Sequence, residues 1–184
     1  HNTISYVTTQ SQGDAQDFGD TTVTRSSRRA CNSPTRMVIG GGGDPSFDDI
    51  DFITFSTTGN AADFGDLLEA KKYAASASNA VRGLWASGNR TEPSVFYNRI
   101  EFVTIATLGN SIDFGDATHS LSHAGACSSS TRMVVGGGSN PTPTRTNTMY
   151  YIQIMSTGDA VDFGDLTHQL DGPVGASNGH GGLG

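Results

Sequence analysis

The sequence predicts an all-β protein, a β-propeller of four blades in a single domain that spans residues 1–184. Three observations predict this class. One motif recurs four times at similar spacing, a β-branched and aromatic run precedes every copy, and the composition is rich in glycine and poor in charge. Charged residues make up 16% of the chain and 24 of its 184 residues are glycine, which favours short strands and turns over helices.

The recurring motif is Asp-Phe-Gly-Asp, and its four copies begin 46, 50 and 49 residues apart. Internal periods of this size are typical of propellers and solenoids. We number the repeats as units one to four, each beginning at the first aspartate of its motif. The motif residues other than glycine are Asp17, Phe18, Asp20, Asp63, Phe64, Asp66, Asp113, Phe114, Asp116, Asp162, Phe163 and Asp165. Their equal phase predicts that the four phenylalanines are buried where neighbouring blades meet.

Each motif is preceded by an apolar run of strand type. The runs begin at Ile4, Ile50, Ile100 and Met149. Gly followed by Asn or Asp separates each run from its motif, and this pair predicts a tight hairpin of type II′. Downstream, a strand opens with arginine and ends in a glycine cluster, and small-residue stretches ahead of it, such as 29–33 and 125–129, predict another strand. We therefore expect at least twelve strands and almost no helix.

The arginines that open these strands are Arg36, Arg82 and Arg132, and each lies nineteen residues after the start of a motif. A long cation beside a packed strand needs a partner, because burial of an unpaired charge is costly. We predict that each arginine pairs with an aspartate of an Asp-Phe-Gly-Asp motif, in its own blade or a neighbouring one. In unit four Gly181 replaces the arginine, so the aspartates there should lack this partner or borrow one.

Paired aspartates could bind Ca²⁺, which favours oxygen ligands. A motif present in every unit more often serves the fold, so we expect these residues to cap turns. His119 and His168 occupy matching positions in units three and four, with His123 nearby. We expect surface histidines, the alternative being a metal site shared by adjacent blades. The sequence presents no catalytic constellation, so we expect no enzymatic activity and no cofactor.

The charge balance argues against nucleic acid as a partner, since the net charge is −7 from 11 basic and 18 acidic residues. No window approaches the roughly eighteen apolar residues that a membrane helix needs. The chain begins at His1 without an initiator Met, so we expect a processed chain or a part of a longer one. Cys31 and Cys127 should be buried free thiols. The alternative is a disulfide across the propeller axis, which would require the two Cα atoms to lie within about 7 Å.

Length variation falls after the glycine clusters, which is typical of exposed loops. The variable segments are 41–49, 87–99 and 137–148. The longest loop, 89–98, carries Arg90, Phe96 and Tyr97. Exposed aromatic residues beside arginine suit an interface. The alternative is that the two rings only cover the edge of a blade.

The order of elements resembles the kelch repeat, a four-stranded propeller blade. A strand with a glycine pair is followed by a variable loop, an apolar strand, a turn and an aromatic strand. Gly40-Gly41 and Gly136-Gly137 match the kelch double glycine, and the motif phenylalanines stand where kelch units carry Trp. Unit two departs from the pattern, since Trp85-Ala86-Ser87-Gly88 replaces the glycine pair. The Tyr that kelch units place ahead of the turn is also missing.

A closer resemblance is to repeats in large virion and tail-fibre proteins of marine tailed phages, which carry runs such as T-G-N-A-x-D-F-G-D-L and S-S-T-R-G-V-x-G-G. The matching runs here are Thr58–Leu67 and Ser129–Gly137, and Ser177–Gly184 resembles the terminal unit of such arrays. The resemblance covers nearly the whole chain. It implies a non-enzymatic structural or binding module of a virion appendage, a tail fibre or receptor-binding tip.

The partners that this resemblance implies are other virion subunits, further copies of the chain, and a cell-surface glycan or protein receptor, with no nucleic acid and no membrane insertion. The alternative function is a cell-surface adhesin or an extracellular filament subunit. The chain opens midway through a unit and ends after the glycine strand of unit four. We therefore expect the N-terminal hairpin to complete the blade that the C-terminal strands begin. A larger ring or stacked protomers are the alternatives.

Overall fold

The computed structural model describes residues 1–142 and 144–177, and within these residues it contains sixteen strands and no helix. The expectation of an all-β chain with at least twelve strands is confirmed. The strands are β1 (Thr3–Tyr6), β2 (Gln16–Asp20), β3 (Arg29–Asn32), β4 (Arg36–Gly40), β5 (Asp49–Thr54), β6 (Ala62–Asp66), β7 (Ala75–Ser78), β8 (Arg82–Ala86), β9 (Asn89–Arg90), β10 (Val95–Phe96), β11 (Arg99–Thr104), β12 (Ile112–Asp116), β13 (Gly125–Ser128), β14 (Arg132–Gly136), β15 (Thr146–Gln153) and β16 (Val161–Leu170).

Twelve of these strands form three four-stranded antiparallel sheets. Sheet A has the order β3-β4-β5-β6, sheet B has β7-β8-β11-β12, and sheet C has β13-β14-β15-β16. Strands β1 and β2 form a separate two-stranded sheet, the N-terminal hairpin, and β9 and β10 form an insertion hairpin. Each four-stranded sheet joins three strands of one unit to the motif strand of the next. Several meandering sheets of this kind are compatible with a β-propeller-like arrangement.

The sheets lie in a row with their first strands side by side, β3 next to β7 and β7 next to β13. Small polar side chains connect the row. The Ser78 hydroxyl donates to the Asn32 carbonyl (2.8 Å), Ser128 donates to the Ser78 carbonyl (2.7 Å), and Ser177 donates to the Ser128 carbonyl (2.5 Å). The small residues of these stretches therefore allow close approach of neighbouring sheets. Segment 172–177 continues the row after β13.

Apolar strands are buried because both of their faces meet other layers. Ile50 lies opposite Gly40 in sheet A, and Ile100 lies opposite Ala86 in sheet B. Both isoleucines are fully buried. The Trp85 ring of sheet B packs against Gly40 of sheet A, where a Cβ would come within 3.1 Å of the ring. The large side chain in unit two therefore packs on the glycine of unit one in the neighbouring sheet.

Backbone hydrogen bonds join each four-stranded sheet to the sheet before it, which for sheet A is the N-terminal hairpin. We call each of these connections a junction. At the first junction Gly59 N–H donates to the Phe18 carbonyl (2.7 Å), and Ala61 N–H donates to the Asp20 carbonyl (2.8 Å). The Asn60 side chain accepts from Asp20 N–H (3.0 Å). The same bonds recur from Gly109–Ser111 to Phe64 and Asp66, and from Gly158–Ala160 to Phe114 and Asp116.

The turn between apolar run and motif differs from the predicted tight hairpin. Seven residues, 55–61, separate β5 from β6, and the Gly-Asn pair ends this loop instead of forming its tip. The loop is longer because Gly59 and Asn60 face the preceding sheet and form the junction. Gly65 shows why the motif needs glycine, since a Cβ there would lie 2.5 Å from the Gly109 carbonyl carbon.

Three of the four motif phenylalanines are buried as predicted. Phe18, Phe64 and Phe114 are 7%, 2% and 3% exposed. The prediction is wrong for Phe163, which is 50% exposed. Its strand β16 ends the row, and no Gly-Asx turn covers it among the described residues. Each phenylalanine also meets an aromatic ring of its own hairpin edge to face, as Phe64 meets Phe52 with ring centroids 6.0 Å apart.

The predicted pairing of the repeated arginines with motif aspartates is wrong. Arg36, Arg82 and Arg132 instead lie over aromatic rings of the adjacent strand, at 4.6, 4.3 and 4.6 Å from the ring centroids of Phe52, Phe102 and Tyr151. An aromatic face attracts a guanidinium and also covers its apolar stem. No salt bridge of these arginines occurs within the described residues.

Two of these arginines also bond to the next sheet. Arg36 donates to the Ile105 carbonyl and Arg82 donates to the Ile154 carbonyl, both at 3.0 Å. In both cases the guanidinium reaches a backbone carbonyl across the junction, so its hydrogen-bond donors do not require a carboxylate partner. The comparison with Gly181 in unit four lies outside the described residues.

Among the described residues no strand pairing joins the N-terminal hairpin to sheet C. Within that part of the chain β1 pairs only with β2, whereas β5, β11 and β15 each pair on both edges. The predicted closure would pair the N-terminal hairpin with strands that include residues 178–184, which lie outside the described residues. Both cysteines are free as expected, but only Cys31 is buried, and Cys127 is partly exposed.

Candidate binding face

The variable loops leave the three sheets at one end, after β4, β8 and β14. We call this end the loop face. Its backbone is fixed by glycine and serine residues that bond to the next unit, as Gly88 N–H does to the Leu121 carbonyl (2.7 Å). These backbone bonds recur in all three units at the base of the loops. The loop tips are therefore free to vary in length and composition.

One position of the loop face has a left-handed backbone in every unit. It lies ten residues after the start of each motif and holds Ser27, Tyr73, His123 and Gly172, with φ of 57°, 56°, 56° and 70°. This conformation favours glycine and small polar residues and costs bulky ones about 1 kcal/mol or more. Units two and three nevertheless place a ring there. Because strain at a bulky residue is often kept for function, these two side chains are the leading candidates for a binding role.

The two rings stack on one another across adjacent sheets. The centroids of Tyr73 and His123 are 3.8 Å apart and their planes make an angle of 25°. Lys72 Nζ lies 5.4 Å from the Tyr73 ring centroid and 3.6 Å from Asp44 Oδ1. His123 Nδ1 lies 3.2 Å from the Ser122 hydroxyl. Tyr73 and His123 are partly exposed, so the stack forms an aromatic patch beside the Lys72 ammonium and the Asp44 carboxylate, whereas Ser122 is buried beneath it.

The insertion hairpin lies beside this patch and is held to it by backbone bonds. Lys72 N–H donates to the Asn89 carbonyl (2.8 Å) and Asn89 N–H donates to the Lys72 carbonyl (3.0 Å). Arg90, Phe96 and Tyr97, the predicted interface residues, are all half-buried in it. The hairpin that carries them adjoins the patch through the Lys72–Asn89 bridge, and none of the three is fully exposed.

Tyr97 also covers a buried ion pair. Its ring centroid is 5.6 Å from Lys71 Nζ, and Lys71 forms a salt bridge with Glu101. Burial raises the pKa of the Tyr97 hydroxyl, and the nearby Arg90 guanidinium partly opposes that rise. Tyr97 thus covers the buried Lys71–Glu101 pair, which accords with the covering alternative. The interface role of Arg90, Phe96 and Tyr97 stays a prediction.

The ion pair belongs to a series that sequence reasoning missed. Eight residues after the start of its motif, unit one has Arg25 and unit two has Lys71. Arg25 Nη2 lies 3.2 Å from Asp51 Oδ2, at the position that Glu101 takes in the next sheet. Glu101 Oε2 also accepts from the Ser111 hydroxyl (2.5 Å) and from Leu68 N–H (2.7 Å). In unit three the position of the cation holds Leu121.

The motif aspartates lie at or near the surface, and the turn-capping bond expected of them is present at the first motif, whereas Asp113 lies 3.8 Å from Arg99 Nε. Asp17 Oδ1 accepts from Gly19 N–H (3.2 Å). Carboxylates crowd around Asp66, and burial followed by the charges of Asp48 and Asp63 raises its pKa. Within the described residues no group of three or more metal-ligating side chains comes together.

The histidines predicted to lie at the surface do so, but only one contributes to the patch. His119 and His168 are exposed, and each ring contacts the preceding threonine hydroxyl, at 3.0 and 3.1 Å. His123 stacks on Tyr73 instead. A groove of about 290 Å³ adjoins it, lined by Arg29, Ser76, Pro173 and the start of β13. The first strands of all three sheets therefore reach the same groove.

Comparisons with known proteins concern the fold. No family model matches the chain, and no curated protein matches it. Among solved structures it is similar to that of YjhT, with a TM-score of 0.74 and 10% sequence identity. The match covers 89% of this chain and 59% of that chain, so this chain spans less than two thirds of its neighbour. Such a likeness shows the fold alone, an all-β arrangement of several sheets. No helix within the described residues is long and apolar enough to cross a membrane.

Proposed function

We propose that this chain is a non-enzymatic binding module of a phage virion appendage, a tail fibre or receptor-binding tip, built from kelch-like propeller blades. The repeat resemblance supports the virion setting. The observation that carries the binding role is the pair of rings, Tyr73 and His123, held at strained positions of the loop face. Two other units fill the same position with serine and glycine, so the fold itself does not require rings there.

The chemistry of the patch fits a glycan on a cell surface. A flat aromatic face can cover the C–H face of a sugar ring, while neighbouring groups bond to its hydroxyls. Lys72 and Asp44 provide a donor and an acceptor beside the stack. Aromatic residues with polar neighbours are enriched at recognition surfaces in general. A receptor glycan is therefore the proposed ligand.

Binding of the purified chain to host cells and to a glycan array tests the proposal. Tyr73→Ser and His123→Ser introduce the residue that unit one carries at this position with a φ of 57°, so both variants are expected to fold. Each should reduce binding at least about tenfold, as expected when an anchor residue of an interface is lost. Phe55→Ala is the matched control, since Phe55 is an aromatic residue 44% exposed at the opposite end of β5.

Unchanged binding in both serine variants, or equal loss in the Phe55 control, would rule out the patch as the binding site. The virion setting has its own test, which is electron microscopy of particles labelled with an antibody against the chain. Label on a tail or fibre tip supports it. Label on free filaments or on cell surfaces would instead support the adhesin or filament alternative.

A further inference from the structure

The last strand of sheet C, β16, has every group of a junction, but no partner for them lies among the described residues. At the three preceding junctions the phenylalanine carbonyl accepts from a glycine N–H, and the second aspartate bonds to a Gly-Asx-Ala or Gly-Asx-Ser turn. Phe163 and Asp165 make no such bonds within the described residues. A Cβ on Gly164 would meet nothing within 4 Å, whereas one on Gly115 would lie 2.5 Å from the Gly158 carbonyl.

Two apolar side chains at this end are exposed although their counterparts are buried. Phe163 is 50% exposed, against 3% for Phe114. Leu170 is 45% exposed, against 1% for Leu121 in unit three. Arg132 lies over Tyr151 as its counterparts lie over their rings, but it reaches no carbonyl of another sheet among the described residues. Sheet C thus presents a prepared docking surface.

The N-terminal hairpin has the complementary set of groups at the other end of the row. Gly13-Asp14-Ala15 matches Gly158-Asp159-Ala160, which forms the junction between sheets B and C. The backbone bonds that Gly158 and Ala160 donate to sheet B have no counterpart at Gly13 and Ala15 among the described residues. Thr9 stands where Ile105 and Ile154 provide the carbonyls that accept from arginine. The turn that docks elsewhere is therefore undocked here.

The buried position of the junction also matches. Ser5 occupies the position of Asp51 and Glu101, the acids of the buried ion pairs. Leu170 occupies the position of the cations of those pairs. Contact between Ser5 and Leu170 buries no unpaired charge. Docking of the same hairpin against the Lys71 or Arg25 positions would leave a cation without its carboxylate, which costs several kcal/mol. The hairpin is thus suited to sheet C.

We propose that a second copy of this chain docks head to tail, with its Gly13–Ala15 turn on Phe163–Asp165 of the first copy. Every copy carries one surface of each kind, so head-to-tail docking satisfies both without any other protein. The interface repeats, bond for bond, the junctions already present within the chain. This inference concerns assembly and does not depend on the proposed glycan or on the virion setting.

Sedimentation of the full chain over a wide concentration range tests the proposal. The wild-type chain should form dimers and longer species as concentration rises. Gly164→Ala should weaken this association at least about tenfold, because the new Cβ would enter the space of the docking glycine. Gly158→Ala is the matched control. Its φ of 149° is similar to the 125° of Gly164, and a Cβ there meets nothing within 4 Å, so backbone strain is comparable but association should persist.

Cross-linking identifies which surfaces meet. Asp14→Cys and Asp165→Cys are made in separate copies, both with Cys127→Ser, and joined with a short bis-maleimide. The mixture should give a covalent dimer, whereas either variant alone should not. A wild-type chain that stays monomeric at every concentration would overturn the proposal. A cross-link between both positions placed in one chain, formed within monomers at high dilution, would also overturn it and would establish closure of the chain on itself.

Discussion

Lys71 and Glu101 form an ion pair in which neither side chain reaches solvent, with exposed fractions of 1% and 0%. Removal of one member leaves the other buried without its counter-charge. Lys71→Leu or Glu101→Tyr alone should therefore lower the free energy of unfolding by about 3–5 kcal/mol. Urea unfolding followed by fluorescence of Trp85 measures this loss.

The double variant Lys71→Leu/Glu101→Tyr is the decisive control for that pair. It copies Leu121 and Tyr150, the residues that unit three places at the same two positions, and both are buried. Leu68 N–H keeps an acceptor in the Ser111 hydroxyl, 3.0 Å away. We expect stability within about 1–2 kcal/mol of the wild type, because apolar replacement of a buried pair is often neutral. Losses that simply add would show that the two charges are not coupled.

Phe64 and Phe163 have the same sequence context and opposite environments. Phe64→Ala should cost about 3–5 kcal/mol of unfolding free energy, as expected for a ring lost from a packed core. Phe163→Ala should cost only about 0.5 kcal/mol, as for a surface substitution, when measured at a protein concentration too low for association. Equal costs would mean that Phe163 is covered in the isolated chain and would contradict the open end of sheet C.

Comparison of Arg82 with Arg132 distinguishes the contribution of the aromatic contact from that of the hydrogen bond to the next sheet. Both lie over a ring, but only Arg82 also donates to a carbonyl of the next sheet. Arg82→Met should therefore lose about 1–2 kcal/mol, the sum of a cation–π contact and a net hydrogen bond, and Arg132→Met about half as much. Thermal unfolding of the two variants gives the comparison. A larger loss for Arg132→Met would contradict this division.

Alkaline pH should destabilise the fold through two buried groups. Burial raises the pKa of the Cys31 thiol from 9.0 to about 12 and that of the Tyr150 hydroxyl from 10.0 to about 12. The native chain keeps these protons while the unfolded chain releases them, so stability is fully present below pH 9.0 and falls as pH rises towards 12.

Urea unfolding at pH 8 and pH 11 measures this effect, and Cys31→Ala and Tyr150→Phe should each flatten the decline. Alkylation gives an independent reading. Iodoacetamide should modify Cys127 in the native chain before Cys31, as mass spectrometry of the peptides would show, because Cys31 is buried and its thiol stays protonated. Preferential modification of Cys31 would contradict its burial.

The repeat made the strands and the three buried phenylalanines predictable from sequence. A four-fold motif fixes the phase of the units, and short apolar runs identify the strands around it. The same symmetry produced the error at Phe163, because equal sequence context implies equal environment only when a neighbour is present on both sides. The docking role of Gly59-Asn60 was missed for a related reason. Its partner is a backbone carbonyl forty residues away, which carries no side-chain signal.

The buried pairs and the stacked rings were within reach of the sequence but needed a different comparison. Aligned by unit, Arg25 and Lys71 share a position, as do Asp51 and Glu101. Charges of opposite sign that change together between units indicate contact. Tyr73 and His123 also share a position, but nothing in the sequence indicates its left-handed backbone. The arginine prediction failed because it considered only charge, whereas an aromatic ring and a carbonyl were closer.

The junctions have a consequence for how arrays of these units can change in length. Both members of each buried pair lie within one motif-to-motif segment, since Lys71 and Glu101 fall within 63–112. The contacts that join segments are largely backbone to backbone and do not depend on side-chain identity. Duplication or loss of a whole segment would therefore leave no buried charge without its counter-charge. A gene encoding such a chain can lengthen or shorten by recombination in steps of one segment, whereas a breakpoint between Lys71 and Glu101 would separate the pair.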